Sequence, residues 1–333
     1  MSQFADELRT LVDDLVQRHG PGDQPELWAS LCGLGLPRVG VAEERGGSGG
    51  SLDDLLVVVE SVARHGIGVP IVEASTADWI LSHAPEHALG DESEPATVLL
   101  TEDPPARVSG TVTAELSAVP WARDAARLVL CAPGADPLAV DLRHGSVTVR
   151  PGANVAGEPR DTVVLTHTPA HTVTGAPSHD LIRERLALLW SAAVLGAAHG
   201  AHRLTRAYVC ERRQFGAPLL AIPAVSANLA RMRVRLVQAE AALALAREAE
   251  PLSGAVEIAR VTTAAAATEI AATAHQLHGA IGITEEYPLH RLTRRLWSWR
   301  DAVASEREWA ESLGRRAASA GEAGVWTRIT ATG

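Results

Sequence analysis

The sequence predicts a mostly α-helical protein interrupted once by a small β domain. Apolar residues recur at helical spacing from about residue 5 to 90. Short β-branched runs separated by Pro, Gly and Asp clusters then occupy residues 93 to 175. From about Asp180 the helical period returns and holds almost to the end. At 333 residues the chain is too long for one small core. The changes of period divide it into an N-terminal helical domain over 1–92, a small antiparallel β domain over 93–175 and a C-terminal four-helix bundle over 176–333.

Composition narrows the function. Hydrophobic residues make up 46% and charged residues 21%, the profile of a globular protein. The formal charge of −10 argues against nucleic acid as a partner, because phosphate binding needs a basic face. Every basic residue other than histidine is arginine, so lysine Schiff-base chemistry is excluded. No apolar run is long enough to cross a membrane, and the acidic start Met1-Ser2-Gln3-Phe4-Ala5-Asp6-Glu7 lacks the pattern of a signal peptide, so a cytoplasmic location is expected. The three cysteines, Cys32, Cys131 and Cys210, are far apart in apolar surroundings and read as buried free thiols, with no metal site.

The elements follow in order. Leu8, Leu11, Val12, Leu15 and Val16 mark one helical face, and Leu55, Val58, Val59, Val62 and Ala63 another. Between them, Gly46-Gly47-Ser48-Gly49-Gly50 lacks a P-loop lysine and a preceding strand, so it reads as a turn. Strands are expected at Ala96 to Leu100, Leu128 to Cys131, Ser146 to Arg150 and Thr162 to Leu165. One helix then runs from near His179 to Glu211. A second starts at Pro223 with Val225, Leu229, Met232, Leu236 and Leu243 on one face. A third, rich in alanine, covers about Gly254 to Leu277, and a fourth about Leu289 to Ala318.

Two polar signatures stand at helix ends. The first is Glu211-Arg212-Arg213-Gln214-Phe215-Gly216-Ala217-Pro218, and the second runs from Ala274-His275-Gln276-Leu277-His278-Gly279-Ala280-Ile281-Gly282 to Tyr287-Pro288. Taken alone, Arg212 reads equally as a helix cap, Phe215 as packing, His278 as a satisfied histidine and the glycines as a C-cap. In this order, and within one four-helix frame, the pair resembles the C-terminal domain of the acyl-CoA dehydrogenase family. That resemblance implies FAD as cofactor. It places Arg212, Gln214 and Phe215 on the diphosphate and ribityl side in one subunit, and Gln276, His278, Gly279 and Gly282 on the FAD of a neighbouring subunit. Two positions depart from the pattern: Pro223 stands where a glutamine is usual, and Ala280 replaces the second glycine of a Gly-Gly pair.

The resemblance also implies α,β-dehydrogenation of an acyl-CoA or acyl-carrier-protein thioester, with an electron-transfer flavoprotein as electron partner. That chemistry needs a carboxylate base of raised pKa. Counting from the second signature reaches Val303, and counting back from the first reaches Leu186; neither can take a proton. Glu184 and Asp301 lie nearby as displaced candidates, each beside arginines that explain it as a salt-bridged face. After Thr101-Glu102 the family's Gly-Ser-Asp is absent, and much of the flavin-covering sheet is expected to be missing, giving a reduced middle domain. Leu296-Trp297-Ser298-Trp299-Arg300-Asp301 resembles short actinobacterial subunits of α2β2 acyl-CoA dehydrogenases, some of which process bulky steroid side-chain thioesters. The resulting expectation is a supporting subunit paired with a full-length homologue. A self-sufficient homodimer or tetramer with a displaced base, and a non-enzymatic assembly module, are the alternatives.

Overall fold

Capping residues and apolar faces together set where the helices of this chain begin and what they bury. The computed structural model describes residues 3–20, 24–84, 89–90 and 94–330; Met1, Ser2 and the expected domain boundary at 92/93 lie outside them. The N-terminal part contains α1 (Gln3–His19), α2 (Gln24–Gly33), α3 (Leu52–Ala63) and α4 (Ile71–Leu81). α3 opens on a capping box, with Ser51 Oγ accepting the Asp54 N–H at 3.2 Å and Asp54 accepting the Ser51 N–H at 2.9 Å. The glycine run before it is the expected turn, closed by an antiparallel bridge between Val41 and Gly49.

The sheet domain contains β1 (Ala96–Leu100), β2 (Arg107–Val108), β3 (Thr111–Pro120), β4 (Arg127–Cys131), β5 (Leu138–Asp141), β6 (Val147–Arg150) and β7 (Arg160–Thr172). Their order is β1-β4-β5-β7-β3-β2, with β6 also on β7. Two expectations need correction. The β1–β4 pair is parallel, although every other pair in this sheet is antiparallel. The stretch after Glu102 is not bare either, because Thr111–Pro120 forms a ten-residue strand along β7. Register shifts between Val112 and Ala114 and between Leu116 and Val119 blur the alternation that would have revealed it. Val112, Leu116, Val119, Leu128, Leu130, Val163 and Leu165 give the sheet a core of its own.

The bundle is built on α5 (His179–Glu211), 33 residues long and buried on nearly all sides between Arg185 and Ala201. Gly196 and Gly200 let α3 lie close: a Cβ there would stand 2.2 Å from the carbonyl oxygens of Glu60 and Arg64. After a short hairpin of β8 (Arg213–Gln214) and β9 (Ala217–Pro218) come α6 (Pro223–Glu248) and α7 (Ala255–His278). Met232, Leu236 and Leu243 on α6 are buried as the helical period requires. The fourth helix is in fact broken into α8 (Leu289–Arg300) and α9 (Glu306–Thr330), and α9 kinks again at Gly321, whose φ of 65° is not helical. Val303 in the gap takes a left-handed φ of 73°, and Ser305 with Glu308 forms a new cap, Ser305 Oγ accepting the Glu308 N–H at 3.3 Å. Among the described residues no helix is long and apolar enough to cross a membrane.

Candidate functional site

α5 ends at Arg212, whose backbone turns extended and whose N–H closes the helix on the Tyr208 carbonyl at 2.8 Å. β8 and β9 then pair Gln214 with Ala217 around Phe215 and Gly216, both at positive φ (53° and 80°). That is the geometry of a two-residue hairpin, which favours glycine and asparagine rather than phenylalanine. Phe215 stands 94% exposed at the tip. The side chains of Arg212, Gln214 and Phe215 have no hydrogen bond, ion pair or ring contact among the described residues. The Arg212 side chain therefore does not cap its own helix.

The second signature turns the other way. His278 is buried, its Nδ1–H donating to the Ala274 carbonyl at 2.8 Å and its Nε2 facing the Tyr287 hydroxyl at 3.3 Å. Its ring stacks on Tyr208 at 4.5 Å, and burial lowers its pKa, so it stays neutral. Tyr208 lies one turn before Arg212, so this contact brings both signatures to one end of the bundle. Gly282 is buried too; a Cβ there would meet His278 Cβ at 2.8 Å and Leu289 Cδ2 at 3.2 Å. Gly279, at φ 63° and ψ −142°, has open space where a Cβ would be, and Gln276 is exposed with no partner among the described residues. Within this chain His278 and Gly282 serve packing through their side-chain space. Arg212, Gln214, Phe215, Gln276 and Gly279 remain free to meet a ligand.

Neither displaced base has the setting of one. Glu184 accepts the Leu252 N–H on both carboxylate oxygens at 2.9 and 2.8 Å, holding the loop into α7. Asp301 is exposed and paired with Arg300 at 2.8 Å. Leu186 is buried, and Val303 packs at the α8–α9 gap. One turn beyond Leu186 stands Trp190, and one turn before Val303 stands Trp299, with ring centroids 5.6 Å apart. Together with Trp121, Val69 and Ile71 they surround a cavity of only about 10 Å³. The residues one turn from each base position therefore meet at one junction, and their indoles fill it.

The junction also carries charges. Glu158, in the β6–β7 loop, is an ion-pair partner of Arg295 at 3.1 Å and accepts from Trp299 Nε1 at 3.0 Å and Asn154 Nδ2 at 2.9 Å. Arg294 Nε donates to the Val155 carbonyl at 2.6 Å. Beside them Glu73 of α4 is fully buried, with Arg160 Nη2 at 3.2 Å but no aligned donor on either oxygen. Burial raises its pKa to about 7, against the pull of Arg160. A lone acid inside Ile71-Val72-Glu73-Ala74 was the available signal. Cys32 and Cys131 are buried as expected, but Cys210 is exposed; among the described residues no metal-binding cluster exists.

A helical domain, a small sheet and a long-helix bundle joined in this way define a flavoprotein oxidoreductase fold. The sequence matches "Acyl-CoA dehydrogenase, N-terminal domain" over residues 2–93 and "Acyl-CoA dehydrogenase, C-terminal domain" over residues 176–299. The chain belongs to the acyl-CoA dehydrogenase family, FAD-binding oxidoreductases that act on CH–CH groups. It is 26% identical over 316 residues to acyl-CoA dehydrogenase IpdE2 of Mycolicibacterium smegmatis, covering 89% of this chain and 93% of that protein. Its fold matches the ChsE4-ChsE5 complex from Mycobacterium tuberculosis with a TM-score of 0.86 at 21% identity, covering 95% of this chain and 97% of that one. A Tcur3481-Tcur3483 steroid acyl-CoA dehydrogenase variant matches at 0.84 and 22%, covering 93% and 96%.

Proposed function

We propose that this chain is the supporting subunit of a cytoplasmic heteromeric acyl-CoA dehydrogenase. A homologous partner supplies the catalytic carboxylate and the acyl pocket. What supports this reading is that neither Leu186 nor Val303 can take a proton, while one turn from each Trp190 and Trp299 close with Trp121 on a space of about 10 Å³, room for one water. The reaction removes a proton from the α carbon of a thioester while the β hydrogen leaves with its electron pair. General-base assistance contributes about 10²–10⁴-fold to such a step, and here the partner provides it. The two-component neighbours, one of them named for steroids, favour a bulky acyl thioester as substrate.

FAD, when bound, supplies the acceptor for that electron pair, which passes on to an electron-transfer flavoprotein. The residues of this chain bind rather than react. The Arg212 guanidinium suits a diphosphate through charge-assisted hydrogen bonds. Gln214 and Gln276 offer amide donors, Phe215 a flat apolar face, and Gly279 an unobstructed backbone.

Expression with and without a full-length homologue tests the reading. The chain alone should be inert towards acyl-CoA with an artificial acceptor, and the pair should be yellow and active. Arg212→Ala should then lower flavin retention about 10- to 100-fold. Turnover by the chain alone would overturn the proposal.

A further inference from the structure

α5 presents a second face, roughly opposite the one at the junction. Leu181, Glu184, Arg185 and Leu188 line a separate cavity of about 300 Å³, the low end of the size of small-molecule sites. Trp79, Leu52 and Val256 complete apolar walls, and Arg247 and Glu250 also line it.

Arg185 is the unusual member. It is 8% exposed, and its guanidinium carbon lies 4.5 Å over the Trp79 ring. Its Nε and Nη2 groups are buried without any acceptor. These two donors share one edge of the guanidinium fork, the edge that meets a carboxylate with two parallel hydrogen bonds. Each of the other buried arginines among the described residues has at least one partner, although Arg260 Nε and Nη1 and Arg295 Nε also lack an aligned acceptor. Arg38 has Asp78 at 3.0 Å, Arg295 has Glu158 at 3.1 Å, and Arg260 donates to the carbonyls of Trp299, Arg300 and Ala302 at 3.1, 2.7 and 3.0 Å.

Two of the nearby charges are already engaged. Glu184 holds the Leu252 N–H, and Arg247 is paired with Asp53 at 2.8 Å. Burial pulls the Arg185 pKa down to about 10, still well above neutrality, so the cation persists. A buried cation with no counter-charge is unfavourable until an anion joins it.

We propose that this cavity binds a small monocarboxylate with an apolar body, its carboxylate on the Nε–Nη2 edge of Arg185 and its hydrocarbon against Trp79, Leu181 and Leu188. Glu184 and Glu250 repel a multiply charged head, which selects against nucleotides and polyphosphates. The site is distinct from the junction and from the hairpin after α5, so it stands whether or not the subunit reading holds.

Octanoate and octanol, matched in chain length, make the test by titration calorimetry on the purified protein with whatever flavin and partner it retains. Octanoate should bind saturably at one site, and octanol about 10- to 100-fold more weakly. Arg185→Gln, which removes a buried charge and should fold, is expected to abolish the difference between the two. Leu181→Trp, which fills the cavity and keeps the arginine, is expected to remove octanoate binding. Equal affinity for both probes, octanoate binding unchanged in Arg185→Gln, or no saturable binding of octanoate would each overturn the proposal.

Discussion

The junction under α8 and the hairpin after α5 are both made of arginines and aromatic rings, yet they use them in opposite ways. At the junction, Arg294, Arg295 and Trp299 each reach a partner in the β6–β7 loop. At the hairpin, the side chains of Arg212, Gln214 and Phe215 have no partner among the described residues, and Phe215 holds a strained φ of 53° in full solvent. The second signature behaves like the junction, with both nitrogens of His278 engaged internally. Satisfied polar groups of this kind hold a fold. Unsatisfied, strained ones that persist on a surface point to another molecule. Substitutions at the junction should therefore change stability, and substitutions at the hairpin should change binding.

The sharpest test of the first half is Glu158→Ala. It strands Arg295 as a buried cation and leaves the Trp299 indole N–H without its acceptor. Removing one partner of a buried pair costs about 3–5 kcal/mol. Chemical denaturation measures this, and a loss below about 1 kcal/mol would mean that the loop is not clamped.

Glu73 gives the junction a pH dependence of definite sign. Its folded pKa of about 7 lies above the ordinary 4.5, chiefly because burial disfavours the charge. Its contribution is therefore fully present below about pH 4.5 and is lost as pH rises through about 7. The shift corresponds to about 3 kcal/mol. Glu73→Gln cannot titrate, so wild type should lose stability relative to this variant between those limits and run parallel above them. A constant difference across the range would show that Glu73 is already ionised in the fold, neutralised by Arg160.

Gly282→Ala extends the comparison to the second signature. The added Cβ meets His278 Cβ at 2.8 Å, on a ring already wedged between Tyr208 and Ala274. Overpacking of this sort costs about 1–3 kcal/mol. If thermal stability holds and only flavin is lost, Gly282 belongs with the hairpin after all.

These contrasts also show what the sequence could reveal. The three-part fold was legible because long stretches with one period are hard to misread: α5 runs from His179 to Glu211 as expected. The break at Val303 was not, since Leu296 to Ala318 keeps enough apolar residues to look continuous while the cap at Ser305 is a local event. β3 was missed because two register shifts interrupt its alternation. At the site, both signatures read alike, as polar residues beside glycine at a helix end. Only their surroundings, Tyr208 and Tyr287 around His278 and open solvent around Phe215, separate them. The ion pairs of Glu158 and the buried, unpaired edge of Arg185 depend on residues far apart in sequence, which no local pattern encodes.

The smallest expected effect has the opposite sign and is the most direct test of the hairpin. Phe215 is 94% exposed, so its removal uncovers no packed surface. It occupies a left-handed position that costs a side-chain-bearing residue about 1 kcal/mol. Glycine accepts that φ without strain, although its freedom in the unfolded chain offsets part of the gain. Phe215→Gly should therefore stabilise the isolated chain by about 0.5 kcal/mol, read as a small rise in denaturation midpoint at unchanged slope. The same variant should retain less flavin when purified with its partner, because the flat apolar face is gone. A destabilised variant would mean that Phe215 packs against this chain in solution. A stabilised one with full flavin retention would leave the strain without a purpose and remove the phenylalanine from the cofactor site.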